Sequence, residues 1–455
     1  MKLRHFEIGI FVIAILARFL VAFWAYEAND NHSEVVLIIL EKDQYPNAKD
    51  CWECFQPPLF YQVHAFIAQV FDNQTTISIH RQMQWLNFLF AVFCLFVYRR
   101  FLADLNLKPP LYLALLAFIL WQPRLLGMSV QATNDSAMLL IGALCTMILL
   151  RTSRDKQWYP IIWAMLLAGL AAIIKGNGIL LLISIPIASL IYWDDLQKEY
   201  RWMRTLFFAS VLVGCTYLGG YIDKYQEFNN PFITNMEKAS PPPFWQDQEW
   251  FGKRAGIRSI KSGYLKFPFT SLMETPYQIN DEPEFPIHRT NFWTLLYANF
   301  YHVQFHNHPW TWRMDFFPWV NNVARALFVL GLLPLLLLLT GFVRAFYNSV
   351  GALFKRGRAA HIKEQQLHLA LVLLFVVFVL KYSYDYRDFG NIKPLFLFPA
   401  FLSFVYLFQY GISTINHKTK RPTQWLIIWL WLVNLLFLLD TTGLIQTLQY
   451  HYSLL

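Results

Sequence analysis

Directly after the first long apolar run the chain reads Glu27-Ala-Asn-Asp30-Asn-His32-Ser-Glu34, with ionisable groups crowded at the mouth of a membrane-length segment. A solvated loop start accounts for such a cluster. Its chemical alternative is a carboxylate that accepts a proton from a hydroxyl, or holds a metal, beside a lipid-borne substrate. Such a group has to stand at the membrane surface, because a charge in the bilayer core is costly. Asp30 is at that depth.

Five further stretches carry polar chemistry against an apolar background. Cys54-Phe-Gln56-Pro57-Pro58-Leu59-Phe60-Tyr61 sets a rigid extended turn and then a helix start, which Pro-Pro explains unaided. Asn134-Asp135 opens an apolar run, where Asp caps the helix and meets its positive dipole end, the alternative being a ligand or metal contact. Lys175-Gly-Asn-Gly178 interrupts two apolar runs. A lysine there anchors at an interface, or its ammonium meets a lipid phosphate. Asp385-Tyr-Arg387-Asp388 leads to Lys393-Pro394, where basic residues invite an anion, in the simplest case a lipid headgroup. His302 and His306 have the i, i+4 spacing of zinc ligands, but no glutamate completes a metalloprotease pattern, and packing beside Trp310 and Trp312 is the better reading.

The elements that must position these residues are membrane helices. The 455 residues are 56% hydrophobic and only 15% charged, where a soluble domain carries about 25% charged residues. Apolar runs of near-spanning length recur at about 6–26, 82–99, 111–127, 135–151, 159–174, 177–193, 205–222, 321–345, 367–382, 394–411 and 424–440. A helix crossing a hydrocarbon core of about 30 Å needs roughly 20 residues, and only helices or closed barrels satisfy their backbone in lipid. The expectation is one all-α polytopic domain over 1–455 with about eleven spans. Large loops at 27–80 and 223–318 carry interfacial helices, the clearest being Leu59–Phe71, too short to span and too apolar to float.

The net charge of +9 does not signal nucleic acid, because the basic residues sit in short clusters between apolar runs. Nineteen of the 38 fall on alternate short connections, such as Arg99-Arg100, Arg151 to Lys156 and Lys355 to Lys363. The first large loop instead has two lysines against eight acids. This positive-inside pattern puts the N-terminus in the cytoplasm and both large loops opposite. The start reads as a retained span and not a cleaved signal, since the run contains Arg18 and lacks a small-x-small site. Cys51 and Cys54 can form a local disulfide if their loop faces an oxidising compartment, whereas Cys94, Cys145 and Cys215 read as packing residues.

Taken in order, these stretches resemble the GT-C superfamily of polytopic glycosyltransferases, in its protein O-mannosyltransferase-like and lipid A aminoarabinose transferase-like branch. Asp30-Asn-His32-Ser-Glu34 is similar to the family's acidic motif after the first span. Gln56-Pro57-Pro58-Leu59-Phe60-Tyr61 is similar to its Pro-Pro segment, and Asn134-Asp135 to its Asn-Asp at a later span. Gly169-Leu170 through Lys175 and Gly178 match its lysine stretch, and Lys393 to Pro399-Ala400 its C-terminal one, with Phe in place of Tyr and shifted spacing. The acidic motif departs from the Asp-Glu pair of several branches, which leaves the acceptor class open.

The resemblance implies a sugar donor linked to polyprenyl phosphate, whose tail lies among the membrane lipids, and an acceptor glycan, lipid or protein on the non-cytoplasmic face. It implies that Asp30 orients or deprotonates the acceptor hydroxyl, with His32 or Glu34 supporting it or sharing a divalent metal ion. Lys175, Arg387 and Lys393 would neutralise the leaving phosphate, and Asp135, Asn134 and Gln56 would contact substrate or metal. The compact size suits a bacterial inner membrane better than endoplasmic reticulum. A transporter or flippase for a lipid-linked or anionic solute is the alternative. Against it, one helix break is visible where paired breaks in two halves are expected.

Overall fold

Leu- and Phe-rich stretches have no choice of structure in lipid, which offers their N–H and C=O groups no partner. Among the described residues of the computed structural model every regular element is accordingly helical. Those residues are 2–25, 32–72, 75–155, 159–196, 198–234, 260–274, 291–302, 317–353, 359–386, 393–416 and 421–453. Asp30, Arg387 and His306, and the Pro241–Pro243 stretch, lie outside them.

The first half runs through α1 (Lys2–Trp24), α2 (His32–Lys42), α3 (Leu59–Val70), α4 (Thr76–Asp104), α5 (Pro109–Leu120) and α6 (Pro123–Met128). It continues with α7 (Asp135–Asp155), α8 (Tyr159–Ile174), α9 (Ile179–Ile191), α10 (Arg201–Leu218) and α11 (Tyr221–Phe228). The second large loop contributes α12 (Ile260–Tyr264), α13 (Phe269–Glu274) and α14 (Phe292–Tyr301). Then come α15 (Trp319–Leu330), α16 (Leu332–Leu353), α17 (Ala360–Tyr386), a 3-10 helix over Pro394–Ala400, α18 (Phe401–Asn416) and α19 (Arg421–Ser453).

The chain is a multi-pass membrane protein, but its spans are not uniform. Among the described residues, 7 helices are long and apolar enough to cross, or up to 8 if the bent pair α10 and α11 is one span. The other three expected spans, 111–127, 159–174 and 177–193, hold shorter apolar helices. Phe93, Leu190, Val213, Leu336, Val377 and Trp425 are exposed on the outside of the bundle, as a lipid-facing surface requires. Inside it, a Cβ on Gly341 of α16 would overlap the Leu407 carbonyl of α18, and one on Gly411 the Leu337 carbonyl, so these two backbones approach as small residues allow.

Polar contacts sort the helix ends into two groups. Glu7 at the start of α1 takes Arg99 at 2.5 Å from the end of α4 and the Tyr112 hydroxyl at 2.7 Å from the start of α5. This is the end where the basic connections lie. At the opposite end Arg81 of α4 donates to the carbonyl of Ala22 at 2.9 Å and of Phe23 at 3.2 Å, capping the C-terminus of α1.

The segment expected to be one span at 111–127 is broken within the bundle. α5 stops at Leu120 because Pro123 follows: proline has no N–H and biases its predecessor away from helix. Arg18, in the last third of α1, donates from Nη1 to the freed Leu120 carbonyl at 2.8 Å. Gln122 caps the start of α6 through its Oε1, which accepts from the Leu125 N–H at 2.5 Å. A charged residue inside the first span is thus explained by a helix break in its neighbour.

Candidate functional site

Between α6 and α7 the backbone is irregular, and every residue from 129 to 134 is buried. Buried backbone needs partners. Asn87 of α4 supplies them, donating from Nδ2 to the carbonyls of Gln131 and Thr133 at 2.6 Å each. Asn87 lies eleven residues beyond Thr76, where α4 begins. At a rise of 1.5 Å per residue, α7 therefore starts roughly 16 Å along α4 from its outer end. α8 and α9, of 16 and 13 residues, are short because they too end in this recess.

Lys175 stands in the recess. Its backbone is extended, at φ −150° and ψ 141°, between the last turn of α8 and the 3-10 turn Gly176–Gly178. A Cβ at Gly178 would overlap the Ala171 carbonyl, so this tight return needs glycine. The Lys175 ammonium meets Asp135 Oδ1 at 2.6 Å, with the two side chains 9% and 11% exposed. It also stands 5.7 Å from the centre of the Phe396 ring. The Thr133 hydroxyl donates to Asp135 Oδ2 at 3.3 Å. Asn134 donates to the Ile174 carbonyl at 3.2 Å, so neighbouring residues of α7 hold both the last carbonyl of α8 and the lysine after it. The interfacial-anchor reading of Lys175 and the simple cap reading of Asp135 both give way to a buried ion pair.

Phe396 belongs to the stretch that begins at Lys393. The expected helix start at Pro394 is a 3-10 helix to Ala400, and the α-helical part of this span begins only at Phe401. The stretch packs on α7 so closely that a Cβ on Gly142 would overlap the Pro399 carbonyl. Lys393 is partly buried and its carbonyl accepts from the Phe396 N–H at 3.2 Å. Asn134, Asp135, Lys175 and the Lys393 stretch thus meet, although some 260 residues separate the first from the last.

The helices of the first large loop pack against α4 and α8. The loop holds two helices, not one. α2 escaped the sequence reading because eleven residues neither span nor announce an amphipathic face. The His32 ring Nδ1 is 2.6 Å from the Tyr61 hydroxyl, with the rings stacked, so the acidic and Pro-Pro stretches touch. Tyr45 donates to the Gln56 carbonyl at 2.8 Å, and burial pushes its phenol pKa upward. Gln56 Nε2 donates to Glu53 Oε2 at 3.2 Å, so Gln56 serves the loop's own architecture. Cys51 and Cys54 are joined by a disulfide. α3 docks on α4, where Gln82 donates to the His64 carbonyl at 2.8 Å, and it also packs against α8. Glu34 is partly buried in the first turn of α2.

Two outer-end residues stand apart from their expected roles. His302 pairs through Nδ1 with Asp440 Oδ1 of α19 at 2.6 Å, a buried contact between the end of α14 and the last span. Arg124 of α6, which sequence reading passed over as part of a span, is 2% exposed, and its Nε has no hydrogen-bond partner. The Asp135 carboxylate acts on it electrostatically. A basic residue directly after the proline that marks the break was the available signal.

Among the described residues no three His, Cys, Asp or Glu side chains stand close enough to hold a metal ion.

No protein-family model matches the chain, and no curated protein matches it. Solved structures similar to it include the oligosaccharyltransferase of Archaeoglobus fulgidus in the apo form, at 10% identity over 97% of this chain and 56% of that one, with a TM-score of 0.46. ArnT from Cupriavidus metallidurans bound to undecaprenyl phosphate is 13% identical over 90% of this chain and 78% of that one, with a TM-score of 0.36. Arabinosyltransferase EmbB from Mycobacterium smegmatis is 14% identical over 90% and 41%, with a TM-score of 0.36. The chain thus spans 56% of the length of the first of these structures.

Proposed function

We propose that the chain is a membrane glycosyltransferase of the GT-C type. It moves a sugar from a polyprenyl-phosphate-linked donor to an acceptor glycan, lipid or protein on the non-cytoplasmic face, in a bacterial inner membrane with the N-terminus in the cytoplasm. One observation carries the reading: three stretches that resemble family motifs in the sequence meet around the recessed Asp135–Lys175 pair. A phosphate whose tail lies in the bilayer reaches such a recess from the membrane side.

In this reading Asp30 accepts the proton of an acceptor hydroxyl as its oxygen bonds to the anomeric carbon. The bond from that carbon to the phosphate oxygen breaks, and its electron pair leaves with polyprenyl phosphate. Lys175, Lys393 and Arg387 oppose the charge that develops on the leaving oxygen. Attack opposite the leaving group inverts the anomeric centre. His32 or Glu34 supports Asp30 in that role, and no step is routed through a metal.

The test is transfer from a radiolabelled polyprenyl-phosphate sugar by purified protein in lipid nanodiscs. Asp30→Asn is expected to abolish transfer while the protein stays inserted and monodisperse. Full activity in that variant would refute the role of Asp30. Solute movement in sealed vesicles without consumption of lipid-linked sugar would instead favour the flippase alternative.

A further inference from the structure

Arg124 is out of place in a bundle interior. Its guanidinium is permanently charged and carries five donors in a planar fork. A buried charge without a partner is destabilising unless something opposes it. Among the described residues, the opposing charge that acts on it is that of Asp135. That carboxylate is already held at 2.6 Å by Lys175 and at 3.3 Å by the Thr133 hydroxyl. Two cations thus share one anion, leaving one positive charge uncompensated. Arg124 Nε has no hydrogen-bond partner. Arg18, buried to the same degree, also leaves its Nε without a partner, but its Nη1 is satisfied by two carbonyls, of Ala14 at 3.0 Å and Leu120 at 2.8 Å.

We propose that Arg124 is an anion ligand, and that its guanidinium and the Lys175 ammonium together bind a phosphate ester in the recess between α6, α7 and the 3-10 helix Pro394–Ala400. The chemistry fits on three counts. A planar fork matches two phosphate oxygens, while an ammonium supplies a point charge from a second direction. One phosphate monoanion cancels the excess charge. α6 packs on both the Pro394–Ala400 helix and α19, so the arginine is carried by a fixed wall and not by a loop. This inference rests on the glycosyltransferase reading only in naming the phosphate as that of a polyprenyl lipid. The shared chemistry is a phosphate group, from a lipid or from solution.

The experiment measures the melting temperature of purified protein in detergent, alone and with added short-chain polyprenyl phosphate, inorganic phosphate or phosphatidylglycerol. The variants are Arg124→Met and Arg124→Lys. Removal of an unpaired buried charge predicts that Arg124→Met melts no lower than wild type without ligand. The same variant is expected to lose the polyprenyl-phosphate shift and to bind the lipid about tenfold or more weakly. Arg124→Lys, which keeps the charge and loses the fork, is expected to fall between.

A lower melting temperature of unliganded Arg124→Met would mark Arg124 as a structural partner and overturn the proposal. So would unchanged affinity for polyprenyl phosphate in that variant, which leaves the glycosyltransferase reading intact. An Arg124-dependent shift with inorganic phosphate alone supports the anion site and sinks the lipid donor. A wild-type protein stabilised by none of the three compounds, or by phosphatidylglycerol alone, overturns the anion site, while the transfer assay decides the glycosyltransferase reading separately. Should Arg124→Met fail to fold, the affinity of Arg124→Lys decides.

Discussion

Lys175 and Asp135 lie 40 residues apart and bond at 2.6 Å, joining the end of one short helix to the start of another well inside the bundle. The cost of separating them depends on which partner is removed. Loss of one member of a buried pair typically costs about 3–5 kcal/mol. Asp135→Asn strands two cations, Lys175 and Arg124, whereas Lys175→Met leaves Asp135 with Arg124 as its opposing charge. Asp135→Asn is therefore expected to lower stability more than Lys175→Met. Adding Lys175→Met to Asp135→Asn should recover part of the loss. Thermal unfolding of the three variants decides it, and equal losses would mean that Arg124 does not share the carboxylate.

Gly142 faces the Pro399 carbonyl with no room for a methyl group. Overpacking of a tight contact costs about 1–3 kcal/mol. Gly142→Ala is expected to destabilise by that order and to displace the Pro394–Ala400 helix, lowering transfer activity further than stability alone accounts for. Wild-type stability and activity in Gly142→Ala would show that the contact is loose.

His64 is buried in α3, and burial holds its pKa down at about 3. Its folded-state value lies below its unfolded value of about 6.5. The unfolded chain therefore binds the extra proton between those limits, and stability is lost as pH falls through that window. The docking of α3 on α4 should weaken between pH 6.5 and 3 as followed by hydrogen exchange in α3, and His64→Gln should flatten that dependence. A pH profile unchanged by the substitution would assign the acid sensitivity elsewhere.

Orientation follows from charge bias and is checked by labelling. Lys49 and Lys108 are exposed and lie in connections at opposite ends of α4. With Cys51 and Cys54 joined and the other three cysteines buried, an added thiol is the reactive one. Lys49→Cys is expected to react with an impermeant maleimide in intact cells or spheroplasts, and Lys108→Cys only in inverted vesicles. The reverse pattern would put the acidic loop in the cytoplasm.

Hydropathy alone determined that this chain is a helical membrane protein and where its apolar helices lie, because a helix in lipid depends only on its own residues. Turn chemistry likewise located the Pro-Pro start of α3 and the Lys175-Gly-Asn-Gly178 break. What hydropathy cannot reveal is depth. The division of 111–127 into two helices and the recession of α7, α8 and α9 depend on Arg18, Gln122 and Asn87 reaching across to free backbone groups. Pairing is equally non-local. Lys175 has Asp135 as its partner in place of a headgroup, and His302 meets Asp440, because packing brings together side chains whose separation along the chain carries no signal. Arg124 is the extreme case: in the sequence it is one basic residue in an apolar run, and only the fold removes its partners.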